Sequence, residues 1–165
     1  NHAKCMSDQL SSFQALVENH NPYQKEVIER FYELYREDVQ TIDRWFSVQS
    51  ISPSISVAGI RELMSHKLFT MKNPNRVRSL LGAFAQNHIQ FHCQEGYQLM
   101  TEVIIELDAL NPQIAARFAS VFNHWRRFTS HYSKLQEAEL KTISEVDNLS
   151  NNVYEIVHIA LEGKT

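Results

Sequence analysis

The chain has 165 residues, 43% of them hydrophobic, which suits one domain with an ordinary core and excludes a disordered tail. A formal charge of -3 supplies no broad basic field for nucleic acid, and no apolar run approaches the roughly 20 residues a membrane span needs. Four glycines and four prolines leave little of the turn chemistry that many short strands require, so helices are favoured.

From the start, Ser7 is placed to cap a first helix whose apolar stripe is Met6, Leu10, Phe13 and Val17. Asn21-Pro22 then opens a second helix carrying Val27, Ile28, Phe31, Leu34 and Tyr35. A third, from about Asp38, buries Ile42, Trp45 and Phe46 and stops before Ser52-Pro53, because the residue before proline is driven out of the helical region. A shorter helix follows over Val57–His66, with Ile60, Leu63 and Met64 inward. Next comes F-T-M-K-N-P-N-R-V-R-S-L-L-G-A-F, whose Val77, Leu80, Leu81 and Phe84 fall at i, i+3, i+4 and i+7 and belong in the core. Tyr97–Leu107 forms a sixth helix, Pro112 to about Phe128 a seventh and Tyr132–Val146 an eighth; Ser150 caps a ninth bearing Val153, Ile156, Val157 and Leu161.

No strand, low-complexity segment or dividing linker interrupts this order. The spacing predicts an all-α single domain over residues 1–165, about nine helices in stacked antiparallel hairpins that form a curved, HEAT- or armadillo-like superhelical array. One internal echo agrees: Asn73-Pro74 and Asn111-Pro112 each open a helix, lie 38 residues apart and are followed by an arginine, near the roughly 40-residue period of such repeats. Helix-start chemistry alone also produces such a pair of dipeptides.

Arg76 and Arg78 occupy the first turns of the fifth helix, where the dipole opposes a cation by a few tenths to about 1 kcal/mol. An acidic neighbour, a carbonyl or a ligand should therefore hold them. Gln113 and Arg117 on the seventh helix are one turn apart, roughly 6 Å along the axis, and project from one face. A guanidinium beside an amide suits the end of a peptide. The alternative is an arginine tied to Asp108 or Glu106.

N-H-I-Q-F-H-C-Q-E places His88 and His92 four apart, a zinc-like spacing if the segment is helical, with Cys93 and Glu95 close by. Ile89 stands where H-E-x-x-H has its glutamate, however, and Gly96 marks a loop or helix end. Surface or partly buried histidines are the favoured reading. No G-x-S-x-G elbow, phosphate loop or EF-hand run occurs, and Trp45-Phe46 and Trp125 follow core spacing. The two cysteines, Cys5 and Cys93, form no C-x-x-C pair, which favours a reducing compartment. The first residue is Asn1 rather than Met, and the chain is read as a piece of something longer.

The block N-P-N-R-V-R-S-L-L-G-A-F-A, followed by F-H, G-Y-Q-L-M-T-E-V, L-N-P-Q-I-A-A-R and N-L-S-N-N-V-Y-E-I, resembles the C-terminal helical domain of the bacterial aminopeptidase N family. D-R-W-F-S-V-Q-S-I-S-P and C-M-S-D-Q-L resemble earlier parts of that domain, so the likeness covers nearly the whole chain in order. The resemblance implies a cytoplasmic, zinc-dependent alanyl aminopeptidase of the gluzincin class. Its zinc would be held by an H-E-x-x-H motif and a downstream glutamate in an upstream catalytic domain. By the same resemblance this part binds no zinc, has no catalytic residue and is inactive alone; it walls the substrate cavity, with the upstream domain and peptide substrates as partners. Gln113 and Arg117 match the glutamine and arginine that contact substrate beyond the scissile bond, while Arg76 and Arg78 either face the cavity or brace a neighbouring helix.

Two departures bear on cavity shape. Gln94-Glu95-Gly96-Tyr97 stands where the family has a longer loop, and H-W-R-R-F-T replaces its basic run. The runner-up to the peptidase reading is a free-standing helical-repeat module that binds a protein partner.

Overall fold

A computed structural model describes residues 6–19 and 22–163. Expectations resting on Asn1, Cys5, His20, Asn21 and the side chains of Met6 and Ser7 lie outside the described residues. Among those described there is no strand. The helices are α1 (Met6–Glu18), α2 (Gln24–Tyr35), α3 (Val39–Ser50), α4 (Val57–Met64), α5 (Pro74–Val77), α6 (Ala83–Ala85), α7 (Gln94–Leu110), α8 (Pro112–Ala119), α9 (Ser130–Ser144) and α10 (Asn151–Glu162). A π-helical turn, Arg78–Gly82, joins α5 to α6, so these count as one helix and the described residues hold nine. None of them is long and apolar enough to cross a membrane. The chain divides into two compact units, Asn1–Gln90 and Phe91–Thr165.

In the first unit, Phe13 of α1 stacks on Phe31 of α2 with ring centroids 4.1 Å apart, and the Trp45 indole of α3 donates to the Ile28 carbonyl at 3.1 Å. Ile42, Phe46 and Ile60 complete a buried layer, joined by all four stripe residues, Val77, Leu80, Leu81 and Phe84. The helix starts follow their side chains: Asp38 Oδ1 accepts the Thr41 N–H at 2.7 Å, and Ser56 Oγ accepts that of Gly59 at 3.1 Å. The Thr41 bond also holds the Asp38 carboxyl below its ordinary pKa.

The fifth predicted helix departs from a plain α-helix at its middle. The Ala83 N–H reaches back to the Arg78 carbonyl, five residues away, which is the π pattern. Ser47 of α3 donates its hydroxyl to the Ser79 carbonyl at 2.8 Å within that turn.

Arg76 is buried here, its guanidinium 3.0 Å from Asp43 Oδ1 of α3 and 5.3 Å from the centre of the Phe46 ring. The contact with Asp43 is close but lies off hydrogen-bond geometry, leaving Arg76 Nε, Nη1 and Asp43 Oδ1 without a hydrogen-bond partner among the described residues. It is thus an ion pair in a largely dry setting, supported by an aromatic face. Beyond α6, the Asn87 amide donates to the carbonyls of Ser50 and Ser52, each at 3.0 Å, while its own oxygen accepts from Ile89 and Gln90.

In the second unit α7 packs on α8 and α9, and α10 packs on both of those. α7 begins at Gln94, three residues before the expected Tyr97, because Cys93 Sγ accepts the Gly96 N–H at 3.3 Å and caps it. Gly96 is required there: a Cβ would stand 2.2 Å from the Phe91 carbonyl oxygen. The seventh predicted helix is shorter than expected. It ends at Ala119 and gives way to 3-10 turns at Ser120–Phe122 and Trp125–Arg127. That break lets the Trp125 indole donate to the Ala160 carbonyl at 3.0 Å and Arg126 to the Ala160 and Leu161 carbonyls, closing the C-terminus of α10. Gly163 ends α10 at φ 74°, in the left-handed region open to glycine.

Tyr97 is fully buried at the start of α7, its hydroxyl 3.1 Å from the donating Gln136 amide and 2.9 Å from His92 Nδ1. Burial pushes the phenol up to about 12, against a smaller opposing effect of the Gln136 bond.

Removing one partner of the buried ion pair leaves a stranded charge. Arg76→Ala is expected to lower unfolding free energy by about 3 kcal/mol, and Arg76→Met with Asp43→Leu to recover most of it. Urea denaturation measures both, and equal losses in the two variants would contradict the account. For Tyr97 the folded pKa lies above the ordinary 10.0. Its contribution is complete below pH 10 and is lost as pH rises through about 12, because the unfolded chain releases the proton first. Denaturation curves between these pH values should flatten in Tyr97→Phe, and its tyrosinate absorbance should lack the component that rises near pH 12.

Candidate functional site

The two residues expected to face a ligand lie on α8. Asn111 Oδ1 accepts the Ile114 N–H at 3.2 Å, and Pro112 takes the first helical position, where its missing N–H costs nothing. Ile114, Ala115, Phe118 and Ala119 are buried, which turns the opposite face outward. Gln113 and Arg117 are both exposed on that face, and neither forms a hydrogen bond or ion pair through its side chain with any described residue.

The alternative partners for Arg117 are accounted for. Asp108 bonds the Ser150 N–H at 2.7 Å and the Ser150 hydroxyl, so its carboxylate caps α10 instead. Glu106 is exposed and forms no ion pair among the described residues. Arg117 also sits in the last turn of α8, where the helix dipole favours a cation. Five donors and an amide therefore stand one turn apart on a folded face, available to a carboxylate or a peptide carbonyl.

The arginines of the first unit differ. Arg76 is the buried partner of Asp43, which gives it the bracing geometry. Arg78 is exposed and reaches the Asn75 side chain at 3.5 Å. His88 and His92 do not share a helix, since residues 86–93 form turns and bends, so the i, i+4 argument for a metal does not apply. His92 is engaged by Tyr97 and stacks near Phe128, with ring centroids 4.9 Å apart. Among the described residues no three side chains of the metal-binding kinds come together.

Sequence reasoning missed a cleft in the first unit between α2, α3 and α4, about 630 Å³ in volume, floored by Trp45 and bordered by Tyr32 and His66. Its aromatic residues carry the same periodic signature as core positions, and only the fold separates the two uses.

Comparison with known proteins places this geometry in context. Residues 1–162 match the family described as a domain of unknown function (DUF3458_C) with ARM repeats. Aminopeptidase N of Escherichia coli K12 is 32% identical over 163 residues, covering 96% of this chain and 19% of that protein. Aminopeptidase N of Haemophilus influenzae is 32% identical over 166 residues, covering 98% of this chain and 19% of its own length. Among solved structures, that of Legionella pneumophila aminopeptidase A in complex with aspartic acid superposes with a TM-score of 0.90 at 29% identity, over 97% of this chain and 19% of that one. The chain thus spans about a fifth of the relatives it matches. All-α architecture, the Asn-Pro helix starts and this match along nearly the full length agree: the chain belongs to the DUF3458_C family of ARM-repeat domains, as found in aminopeptidases.

Proposed function

We propose that the chain is the C-terminal helical part of a cytoplasmic, zinc-dependent aminopeptidase, and that it walls the chamber in which peptides lose their N-terminal residues. The observation that carries this is the outward pair Gln113 and Arg117 on α8, free of internal partners among the described residues, in a chain of which 96% matches about a fifth of aminopeptidase N.

In this reading catalysis belongs to an upstream domain of the same protein, where zinc polarises the scissile carbonyl and activates water. The part described here supplies no catalytic group and binds no zinc of its own. Arg117 offers a fixed bidentate fork to a carboxylate or carbonyl on the leaving side of the peptide, and Gln113 offers one donor and one acceptor to the backbone beside it. Both act by holding the substrate in register, which raises the fraction of bound peptide whose first bond lies at the reacting centre. Arg76 stiffens the wall from within through Asp43, and Arg78 remains an outward cation of the same helix.

A charge-assisted hydrogen bond is worth roughly 1.5–3 kcal/mol, or about ten- to a hundredfold in rate. In the full-length enzyme, Arg117→Ala should lower kcat/KM for tetrapeptides by at least about tenfold and change it less than twofold for a single-residue chromogenic substrate, which has no groups on the leaving side. Gln113→Ala should act in the same direction but more weakly. Equal losses on both substrates would assign the pair a structural role and overturn the reading.

A further inference from the structure

We infer that the cleft between α2, α3 and α4 is a second binding site, one that takes a hydrogen-bond-donating organic cation with an aromatic or aliphatic body. It rests on the geometry of the first unit alone and does not depend on the peptidase reading.

At about 630 Å³ the cleft falls within the range of small-molecule sites. Its floor is aromatic. Tyr32, Trp45 and His66 gather with ring centroids 5.2–5.3 Å apart, and Tyr32 meets His66 edge-on at 85°. Such π faces attract cations, and the protein's own side chains already answer that field: Lys67 Nζ lies 5.7 Å from the Tyr32 ring centre. Trp45 Nε1 is occupied by the Ile28 carbonyl, so the indole has no donor free for a ligand.

The polar groups around this floor are acceptors in excess. Gln49 is 7% exposed and lines the cleft, and its Nε2 donates to the Trp45 carbonyl at 3.1 Å. Its Oε1 has no hydrogen-bond partner among the described residues, so this largely buried residue keeps one acceptor open to a ligand. Glu29 of α2 and Glu62 of α4 stand on the rim, both exposed and neither in an ion pair among the described residues. Among the described lining residues Lys25 is the one lysine or arginine, against these two carboxylates. Burial, then the neighbouring charges of Lys67 and Arg76, hold the His66 pKa below its ordinary value. An aromatic floor, the unpartnered Gln49 carbonyl and two carboxylates on opposing helices together fit an amine or guanidine on a hydrophobic stem. A carboxylate ligand would find Lys25 as its one cationic partner among the described lining residues and would face the two carboxylates of Glu29 and Glu62.

The test uses the full-length protein and three probes of matched shape: phenethylamine, phenylacetate and 2-phenylethanol. Isothermal titration should find phenethylamine bound at least tenfold more tightly than phenylacetate, with the alcohol between them. The double substitution Glu29→Gln with Glu62→Gln should weaken phenethylamine at least tenfold and bring the three probes close together. Both positions are exposed, so this variant should keep the wild-type melting curve; Gln49→Leu, checked in the same way, should weaken the amine and the alcohol alike. Absence of amine binding, equal affinity for amine and acid, or amine binding unchanged in the double variant would each overturn the proposal. The last result would locate the amine elsewhere in the protein.

Discussion

Every helix leaves four N–H groups at one end and four carbonyls at the other without partners inside the helix. In a chain whose helices α4 and α8 are only eight residues long, those groups are a large share of the backbone. Local caps satisfy the simplest cases, as Asn73, Asn111, Ser56 and Asp38 do. Some of the others are met by side chains from distant segments. Asp108 of α7 closes the start of α10, and Trp125 with Arg126 closes its end, so α10 is fixed at both termini by residues outside it. Asn87 does the same after α3, donating to two carbonyls and accepting from two N–H groups. Each such bond satisfies a helix end and, in the same contact, sets where the next helix lies.

This use of polar groups has a consequence for the α8 face. Asp108 is close in sequence to Arg117 and of the right charge, yet it accepts two hydrogen bonds from Ser150 at the positive end of α10. A carboxylate at a helix N-terminus gains from both the N–H groups and the dipole, which outweighs what an exposed ion pair with Arg117 would return. Arg117 is left outward without an acid among the described residues. The stability of α10 and the availability of Arg117 follow from one choice of partner.

Much of this was readable from residue types. The stripe Val77, Leu80, Leu81 and Phe84 is wholly buried because its spacing matches the helical repeat, and the Asn-Pro starts cap as their chemistry requires. The shared face of Gln113 and Arg117 follows from a separation of one turn. What escaped depends on contacts between segments. The π turn goes with Ser47 of α3 bonding the Ser79 carbonyl, and no local pattern near Ser79 reveals that. α8 ends early because Trp125 is drawn to α10, 35 residues further on. The aromatic cleft was hidden for a different reason: Trp45 serves as floor and as core at once, being 5% exposed while lining the cavity.

The two Asn-Pro helix starts carry the lesson furthest, because they give their arginines opposite fates. Arg76 follows its asparagine by three residues and falls in the first turn, where the dipole repels it and a buried setting would make it intolerable alone. It persists because Asp43, 33 residues earlier in the chain, lies 3.0 Å away and Phe46 presents a ring face. Arg117 follows its asparagine by six residues and falls in the last turn of a helix that stops at Ala119, where the dipole favours it and water surrounds it. It needs no internal partner. A cation that the fold must neutralise is part of the scaffold, whereas a cation stabilised by position alone keeps its full hydrogen-bonding capacity for something outside the chain. That difference of three residues in register separates the arginine paired with Asp43 from the one left facing outward.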